Sequence, residues 1–302
     1  MGKYVLLFAL FAGILLSGCY NEDAIYAEEG SYRRAYDTTS TDPVFKFVSR
    51  YYYDYGKLLI TDPDSADYLF NFQTKHLLSL TAPEQSQEHL AAALDFFKKM
   101  FLNGYSEKII KDYFPYKILL ADTVRYTGNS NDYRNIYLTE FHISFLVNEE
   151  MLNKSEADKI ALSREWNYKF LAEYMAKYKG WKVDEDFHLY STDDGYYKNF
   201  KYITDEEWTE ENFWELGYAS GQVYEEYGQK PDGSWDFVKV GYQFAASRAG
   251  YLEDYIEFLY SSSEETIAKA CKHEKFKKAY DVLVTALNGI GIDYRNIGYG
   301  AN

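Results

Sequence analysis

Glu140 stands in a setting that would suit a catalytic base. On a helix, the pattern His-Glu-x-x-His puts two zinc-binding imidazoles on one face, next to a glutamate that activates water. The segment 137–147 predicts a helix, and Thr139 and Ile143 would share one of its faces. The glutamate of the pattern is therefore present, and both ligand positions are lost. This frame is uninformative by itself, because many amphipathic helices contain a Thr–Glu pair.

Another histidine could replace the lost ligands only if the fold brought it close. The five histidines are His76, His89, His142, His188 and His273, and no two of them lie three to five residues apart. His142 is one residue before Ile143, which turns it about 100° around the predicted helix, away from Thr139. Two interpretations of His142 stay open: a ligand in an unorthodox zinc site, or an ordinary hydrogen-bonded core residue.

Cys19 is the second residue with a specific chemistry. Lys3 precedes an apolar run from Val5 to Leu16, which is too short for a membrane span and typical of a signal peptide. The run leads into Leu16-Ser-Gly-Cys19, which resembles the lipobox of bacterial lipoproteins. That resemblance implies cleavage before Cys19 and its acylation, which would anchor the protein to the outer membrane. The alternative is an ordinary secretory signal that ends near a cysteine.

The sequence divides into a signal peptide (1–18), a polar tether (19–43) and a single domain (44–302). Acidic residues 22 and 23 of the tether resemble a surface-export signal of some lipoproteins. The formal net charge is −15, and removal of the signal peptide takes one further basic residue away. So acidic a protein is not expected to bind nucleic acid. The mature chain has Cys271 as its only cysteine besides Cys19, which excludes an internal disulfide.

The elements that would position these residues are two strands and several helices. Apolar runs at 57–61 and 116–121 predict the strands. Caps and apolar spacing predict helices that begin near Thr81, Ser155 and Thr204, and two more over 251–260 and 276–287. We therefore expect an α+β domain with a small N-terminal sheet, accompanying helices and a mostly helical C-terminal half.

The order of several motifs is similar to that of a known family, the zinc-binding metallopeptidase lipoproteins encoded beside TonB-dependent importers, also called substrate import-associated zinc metallohydrolase lipoproteins. The shared features are the lipobox, the tether, Tyr113–Asp122, the Glu140 segment, Gly241-Tyr242, Glu253–Glu257 and Gly291–Asp293. Beyond the lipobox and the tether, the resemblance covers roughly residues 40–295. The resemblance implies a zincin-like fold. It also implies that Glu253, the first residue of the acidic motif, is a third zinc ligand.

The chain differs from this family at the residues that would bind zinc and carry out catalysis. Thr139 and Ile143 stand where the resemblance places the two histidine ligands, and Ala246 stands where such enzymes often have a tyrosine. A catalytic zinc site needs three protein ligands and a water, so zinc is expected only if unorthodox ligands replace the lost ones. Without a cation, Glu140 and Glu253 would repel each other. We therefore expect a raised pKa on one of them or a basic partner such as Arg248.

Three functions follow from this comparison. The first is a lipid-anchored protein that has lost catalysis and acts as an accessory protein, binding a peptide, a glycan or the TonB-dependent importer itself. The second is an active metallohydrolase, a peptidase that uses Glu140 as remnant general base with His142 and Glu253 as ligands. The third is a structural lipoprotein with an idle cleft. We favour the first, in which no cofactor is needed.

Overall fold

The computed structural model describes residues 36–69, 78–127, 132–189, 209–243 and 247–300. The signal peptide, Cys19 and most of the tether lie outside these ranges. The chain divides into two compact units, Met1–Asp37 and Thr38–Asn302, and the helices and strands named below belong to the second. In the described ranges, no helix is both long enough and apolar enough to span a membrane.

The domain is α+β, as the sequence predicts. The described helices are α1 (Pro43–Tyr55), α2 (Ser65–Tyr68), α3 (Gln87–Met100), α4 (Glu107–Tyr113), α5 (Glu149–Leu152), α6 (Glu156–Lys169), α7 (Ala176–Tyr178), α8 (Glu210–Leu216), α9 (Arg248–Ser261), α10 (Glu264–Ala270) and α11 (Glu274–Gly289). The described strands are β1 (Leu58–Ile60), β2 (Leu78–Thr81), β3 (Lys117–Ala121), β4 (Thr123–Tyr126), β5 (Asp132–Tyr133), β6 (Ile136–Leu138), β7 (His142–Leu146), β8 (Gln222–Gln229) and β9 (Trp235–Gln243).

The main sheet has the strand order β1-β3-β7-β6. Strand β3 is parallel to both β1 and β7, and the outer strand β6 is antiparallel to β7. Every residue of β7 is buried, and so is β3 from Ile118 to Ala121. Continuous apolar runs of this kind belong to strands that are covered on both faces. The sheet therefore lies inside the domain, with β6 at one margin.

The predicted helix over 137–147 is wrong. The structure places an antiparallel hairpin there, formed by β6, a turn at 139–141 and β7. The physical reason lies in the sequence His142-Ile-Ser-Phe-Leu146, a short run rich in branched and aromatic residues whose side chains are buried on both faces of the sheet. Short apolar runs carry no periodicity that separates a buried strand from a buried helix.

Aromatic side chains fill the space between the sheet and helices α3 and α6. Phe145 of β7 lies 4.7 Å from Phe101 and 4.8 Å from Trp166, measured between ring centroids. Phe170 lies 4.9 Å from Phe114. All of these rings are completely buried. Packed aromatic pairs contribute about 0.5–1.5 kcal/mol beyond the area that they bury, so this cluster fixes α6 firmly against the sheet.

Helix α6 also buries two polar residues, Ser163 and Asn167. The Asn167 amide donates to the carbonyl oxygens of Ser163 (2.7 Å) and Met100 (3.1 Å), and its oxygen accepts from the Tyr105 hydroxyl (2.8 Å). Because each buried polar group has a partner, this network does not incur the cost of an unsatisfied one. It ties α6 to the end of α3.

The helix changes its winding immediately after Lys169. Residues Phe170–Met175 form a π-helical segment that continues into α7. Such segments are rare and are frequent at functional sites, because the wider turn shifts the side chains that follow it. Glu173 lies in this segment, next to the margin of the main sheet.

Two smaller sheets complete the described structure: β2-β4-β5, and the hairpin of β8 and β9. The hairpin turns at 230–234. Tyr227, Trp235 and Phe237 lie on one of its faces and are each more than 60% exposed. These five strands were not predicted from the sequence.

Several predicted elements are confirmed. The runs at 57–61 and 116–121 are β1 and β3, the helix capped by Ser155 is α6, and the helices over 251–260 and 276–287 are α9 and α11. The helix expected from Thr81 is displaced, because Thr81 belongs to β2 and Ser86 caps α3. Thr204 lies outside the described residues, and the helix predicted from it is described from Glu210.

Candidate functional site

The residues predicted to form a zinc site are not arranged on a helix. Thr139 lies in the turn between β6 and β7, where its hydroxyl oxygen accepts from the backbone N–H groups of Phe141 (3.3 Å) and His142 (3.0 Å). Glu140 is exposed at the tip of this turn. Ile143 is completely buried in β7. Thr139 therefore stabilises a turn, and Ile143 belongs to the core.

His142 lies inside the sheet. Its side chain is 2% exposed, and its Nε2 atom has no hydrogen-bond partner in the described part of the chain. Burial, with a smaller contribution from the Lys117 charge, lowers the pKa of His142 to about 4. The imidazole is therefore neutral at physiological pH, and its place in the wall of the core does not suit a metal ligand.

Glu253 lies on α9 and is half-buried. Burial raises its pKa, and the neighbouring charges of Glu173 and Glu257 raise it further. A raised pKa was predicted, but the carboxylate of Glu140 is not among its causes. Glu140 acts instead on Tyr174, whose pKa it raises together with burial, and on Lys179. The expected pair of Glu140 and Glu253 is therefore replaced by a different set of neighbours.

Arg248 forms an ion pair with Glu185. The predicted contact with Glu253 fails because a separation of five residues turns the two side chains about 140° apart around α9. Position 246, where Ala246 replaces a tyrosine of the resembled family, lies outside the described residues.

The structure instead brings α6 and its π-helical continuation against α9. Tyr168 of α6 has its pKa raised by burial and then by the charges of Glu257, Glu165, Glu173 and Glu253. Asp254, the residue after Glu253 on α9, has its pKa raised to about 7, by burial first and then by the charges of Glu253 and Glu257. The two helices thus share a cluster of acidic side chains, here called the acidic seam, in which like charges disfavour one another: Glu165, Glu173, Glu253, Asp254 and Glu257.

Glu165 is the most tightly held carboxylate of this seam. One of its oxygens accepts from the Lys169 ammonium group at 3.0 Å, and the other accepts from the Asn135 amide at 2.8 Å. Asn135 immediately precedes β6, so this contact joins α6 to the margin of the main sheet. Both oxygens accept a hydrogen bond, so the Glu165 side chain is held in place between α6 and β6.

A cavity of about 320 Å³ opens beside β6. It is lined by Tyr126, Arg134, Ile136, Tyr137, Leu138, Lys169 and Glu173. The rings of Tyr126 and Tyr137 stack at 6.2 Å, and the Arg134 guanidinium lies 5.1 Å and 5.9 Å from their centroids. The cavity therefore combines flat aromatic surface, strand backbone and charged groups, as small-molecule and peptide sites do.

Strand β6 directs backbone groups away from the sheet at this cavity. The Thr139 N–H donates to the His142 carbonyl, and the Leu146 N–H donates to the Asn135 carbonyl. In an antiparallel pair, alternate residues bond to the partner strand. Asn135, Tyr137 and Thr139 therefore face β7, and Ile136 and Leu138 direct their N–H and C=O groups outward.

A second cavity, of about 400 Å³, lies between α6, the end of α9 and the C-terminal segment 294–300. Its cation Arg295 is already held by Glu264 (2.9 Å) and by the Tyr280 hydroxyl (2.9 Å). Arg164 lines the same cavity. We regard the cavity beside β6 as the stronger candidate, because it also offers backbone groups to a ligand.

Sequence reasoning missed Glu165, Tyr168 and Glu173. Their helix was predicted. It contains the segment Arg164-Glu165-Trp166-Asn167-Tyr168, which has the glutamate of a His-Glu-x-x-His pattern and lacks both histidines. What could not be read is that this helix, and not the segment around Glu140, packs against α9. The cavity itself had no sequence signal, because its lining comes from three separate segments, around residues 126, 134–138 and 169–173.

Metal chemistry receives no support from the side-chain geometry. Within the described ranges, no group of three or more His, Cys, Asp or Glu residues is arranged to hold a metal ion. Comparison of the chain with protein-family models, with curated proteins and with solved structures gave no match.

Proposed function

We propose that this protein is an outer-membrane lipoprotein, anchored through Cys19, that binds extended peptide segments along β6 and acts as an accessory protein of a TonB-dependent importer. The lipobox and the ordered family motifs support the anchor and the setting. The observation that carries the binding function is the cavity beside the outward-facing backbone of β6.

An extended peptide suits this place for a general reason. Peptides commonly bind by adding a strand to an open sheet margin, where backbone hydrogen bonds give affinity and neighbouring pockets select side chains. The outward groups of Ile136 and Leu138 would supply the hydrogen bonds, and the cavity would receive one side chain of the ligand.

We further propose that the fold is zincin-like, and that α6, rather than the segment 137–147, is the helix that corresponds to the zinc-binding helix of zincins. Helix α6 packs against α9, which carries Glu253. In this register Glu165 occupies the general-base position, and Arg164 and Tyr168 occupy the two histidine positions. The charges of Glu253 and Glu257 act on Tyr168, which is consistent with a third-ligand helix facing this one.

The residues of this register do not fit zinc. Arginine keeps its proton and offers no lone pair to a metal. Burial and four acidic neighbours raise the pKa of Tyr168, so its phenol stays protonated. Both oxygens of Glu165 are engaged by Lys169 and Asn135. A site that needs three ligands is therefore not available, and we propose binding without hydrolysis.

The alternative is a metallohydrolase that uses Glu140, His142 and Glu253. The positions of these three residues do not support it. Glu140 lies at the tip of an exposed turn, His142 is enclosed by the core, and Glu253 lies on α9.

The test removes one outward backbone donor. Leu138→Pro deletes an N–H that faces away from β7, and proline is tolerated in an outer strand at such a position. Leu138→Ala is the matched control, because it shortens the same side chain and keeps the donor. We would measure the binding of fluorescein-labelled unstructured decapeptides to the mature protein in detergent by fluorescence anisotropy.

We expect a subset of the decapeptides to bind the wild-type protein and Leu138→Pro to weaken that binding about tenfold, the equivalent of about 1.4 kcal/mol. Leu138→Ala should change it by less than about threefold. Circular dichroism would verify that both variants fold. Equal affinities for the proline variant and the wild type, or no binding by any peptide, would contradict the proposed function.

A further inference from the structure

We propose that the cavity beside β6 selects a positively charged peptide side chain, lysine or arginine, which forms an ion pair with Glu173. This proposal rests on the proposed peptide-binding function and specifies the class of ligand that it takes.

The first argument is the charge balance of the cavity. Three charged residues line it: Arg134, Lys169 and Glu173. The Arg134 guanidinium is paired with Asp132 at 2.7 Å and 2.9 Å, and the Lys169 ammonium is paired with Glu165 at 3.0 Å. Glu173 forms no ion pair within the described part of the chain. Among these lining residues, Glu173 is therefore the one whose charge has no ion-pair partner in the described structure.

The second argument is the setting of the Glu173 carboxylate. It is half-buried in the π-helical segment, and burial raises its pKa above the usual value. Lys169, Arg134 and Lys177 act in the opposite direction without cancelling this effect. A half-buried carboxylate without an ion-pair partner is stabilised when a cation approaches it, because the attraction offsets part of the free-energy cost of removing the carboxylate from water.

The third argument is the chemistry of the walls. Leu138, which is partly exposed, provides apolar surface beside the strand, and Tyr137 provides a ring. Lysine and arginine bury their methylene stems against such surfaces and keep the charged end at a polar group. An acidic side chain would instead place a second carboxylate next to that of Glu173, which is unfavourable. Glu173 already interacts in this way with the charge of Glu253.

The experiment compares three acetylated, amidated and fluorescein-labelled nonapeptides of alternating threonine and valine that differ only at the central residue, which is lysine, norleucine or glutamate. Norleucine has nearly the same stem as lysine and no charge. We would measure their binding to wild-type mature protein, to Glu173→Gln and to Glu215→Gln by fluorescence anisotropy. Glu215 is exposed on α8 and gives the same change in net charge outside the cavity lining.

We expect the wild-type protein to prefer the lysine peptide over the norleucine peptide about tenfold, because charge-assisted hydrogen bonds are the stronger ones. Glu173→Gln should reduce this ratio to about twofold or less, and Glu215→Gln should keep it. Binding of all three peptides with equal affinity would overturn the lysine preference and leave the peptide function standing. Absence of binding by all three would contradict both proposals.

Discussion

Glu165 and Glu140 show how differently two glutamates in similar sequence frames are used. Glu140 is exposed in a turn, and Glu165 is held through both oxygens between α6 and the start of β6. The sequence reveals the residue types around each glutamate. It does not reveal that Asn135, thirty residues earlier, supplies the amide that fixes Glu165.

His142 gives the same lesson for a candidate ligand. The sequence left open whether it was a metal ligand or a core residue, and the burial of its ring decides for the core. That burial depends on β7 lying between β3 and β6, which is a matter of pairing over distance rather than of local pattern.

The raised pKa of Asp254 predicts a pH dependence of stability. Its usual pKa is 3.8 and its folded pKa is about 7. Between these values the unfolded chain has released the proton and the folded chain retains it, so the unfolding free energy falls as pH rises through this window. Asp254→Asn removes this titration, so its stability relative to the wild type should be greater at pH 8 than at pH 4.5, by about 3 kcal/mol.

Urea denaturation of both proteins at the two pH values measures this difference. Asp54→Asn serves as the control, because Asp54 is exposed on α1. The same offset between wild type and Asp254→Asn at both pH values would show that the acidic seam does not disfavour the charge of Asp254.

At the scale of elements, prediction succeeded where a pattern is local and long. Helices α6 and α9 begin at serine caps, α11 has apolar residues at helical spacing, and β1 and β3 are short apolar runs. It failed for the hairpin of β6 and β7, which was expected to be a helix. It also failed for β2, β4, β5, β8 and β9, whose pairing partners are not marked in the sequence.

The π-helical segment is an element that the sequence did not predict at all. The pattern through Phe170, Leu171 and Tyr174 predicts a continuous helix, and these side chains are indeed buried. Glu173 of this segment and Lys169 just before it both line the cavity. The apolar positions of this segment fit a regular helix as well as a wider turn, so the sequence does not distinguish the two.

At the scale of the whole molecule, the α+β class followed from the order of the elements, and the described structure agrees. The zincin-like detail and the family setting remain proposals that depend on motifs read in order. What the sequence could not supply is the cavity, because three segments separated along the chain form it.

The membrane anchor predicts where the molecule is found. Cys19→Ala removes the acylation site, so the protein should leave the outer-membrane fraction and appear as soluble or unprocessed chain. Fractionation of cells that express wild type or the variant, followed by detection of the protein in each fraction, measures this. Equal recovery of both proteins in the outer membrane would show that the anchor assignment is wrong.

The central claim is that a peptide adds to β6, and amide hydrogen exchange tests it most directly. We would record exchange in the mature protein with and without a bound decapeptide, using fragmentation that separates neighbouring residues. The account predicts that binding slows exchange at Ile136 and Leu138, whose N–H groups face outward, and changes little at Tyr137, whose N–H already faces β7. Bound peptide without added protection at Ile136 and Leu138 would contradict the claim.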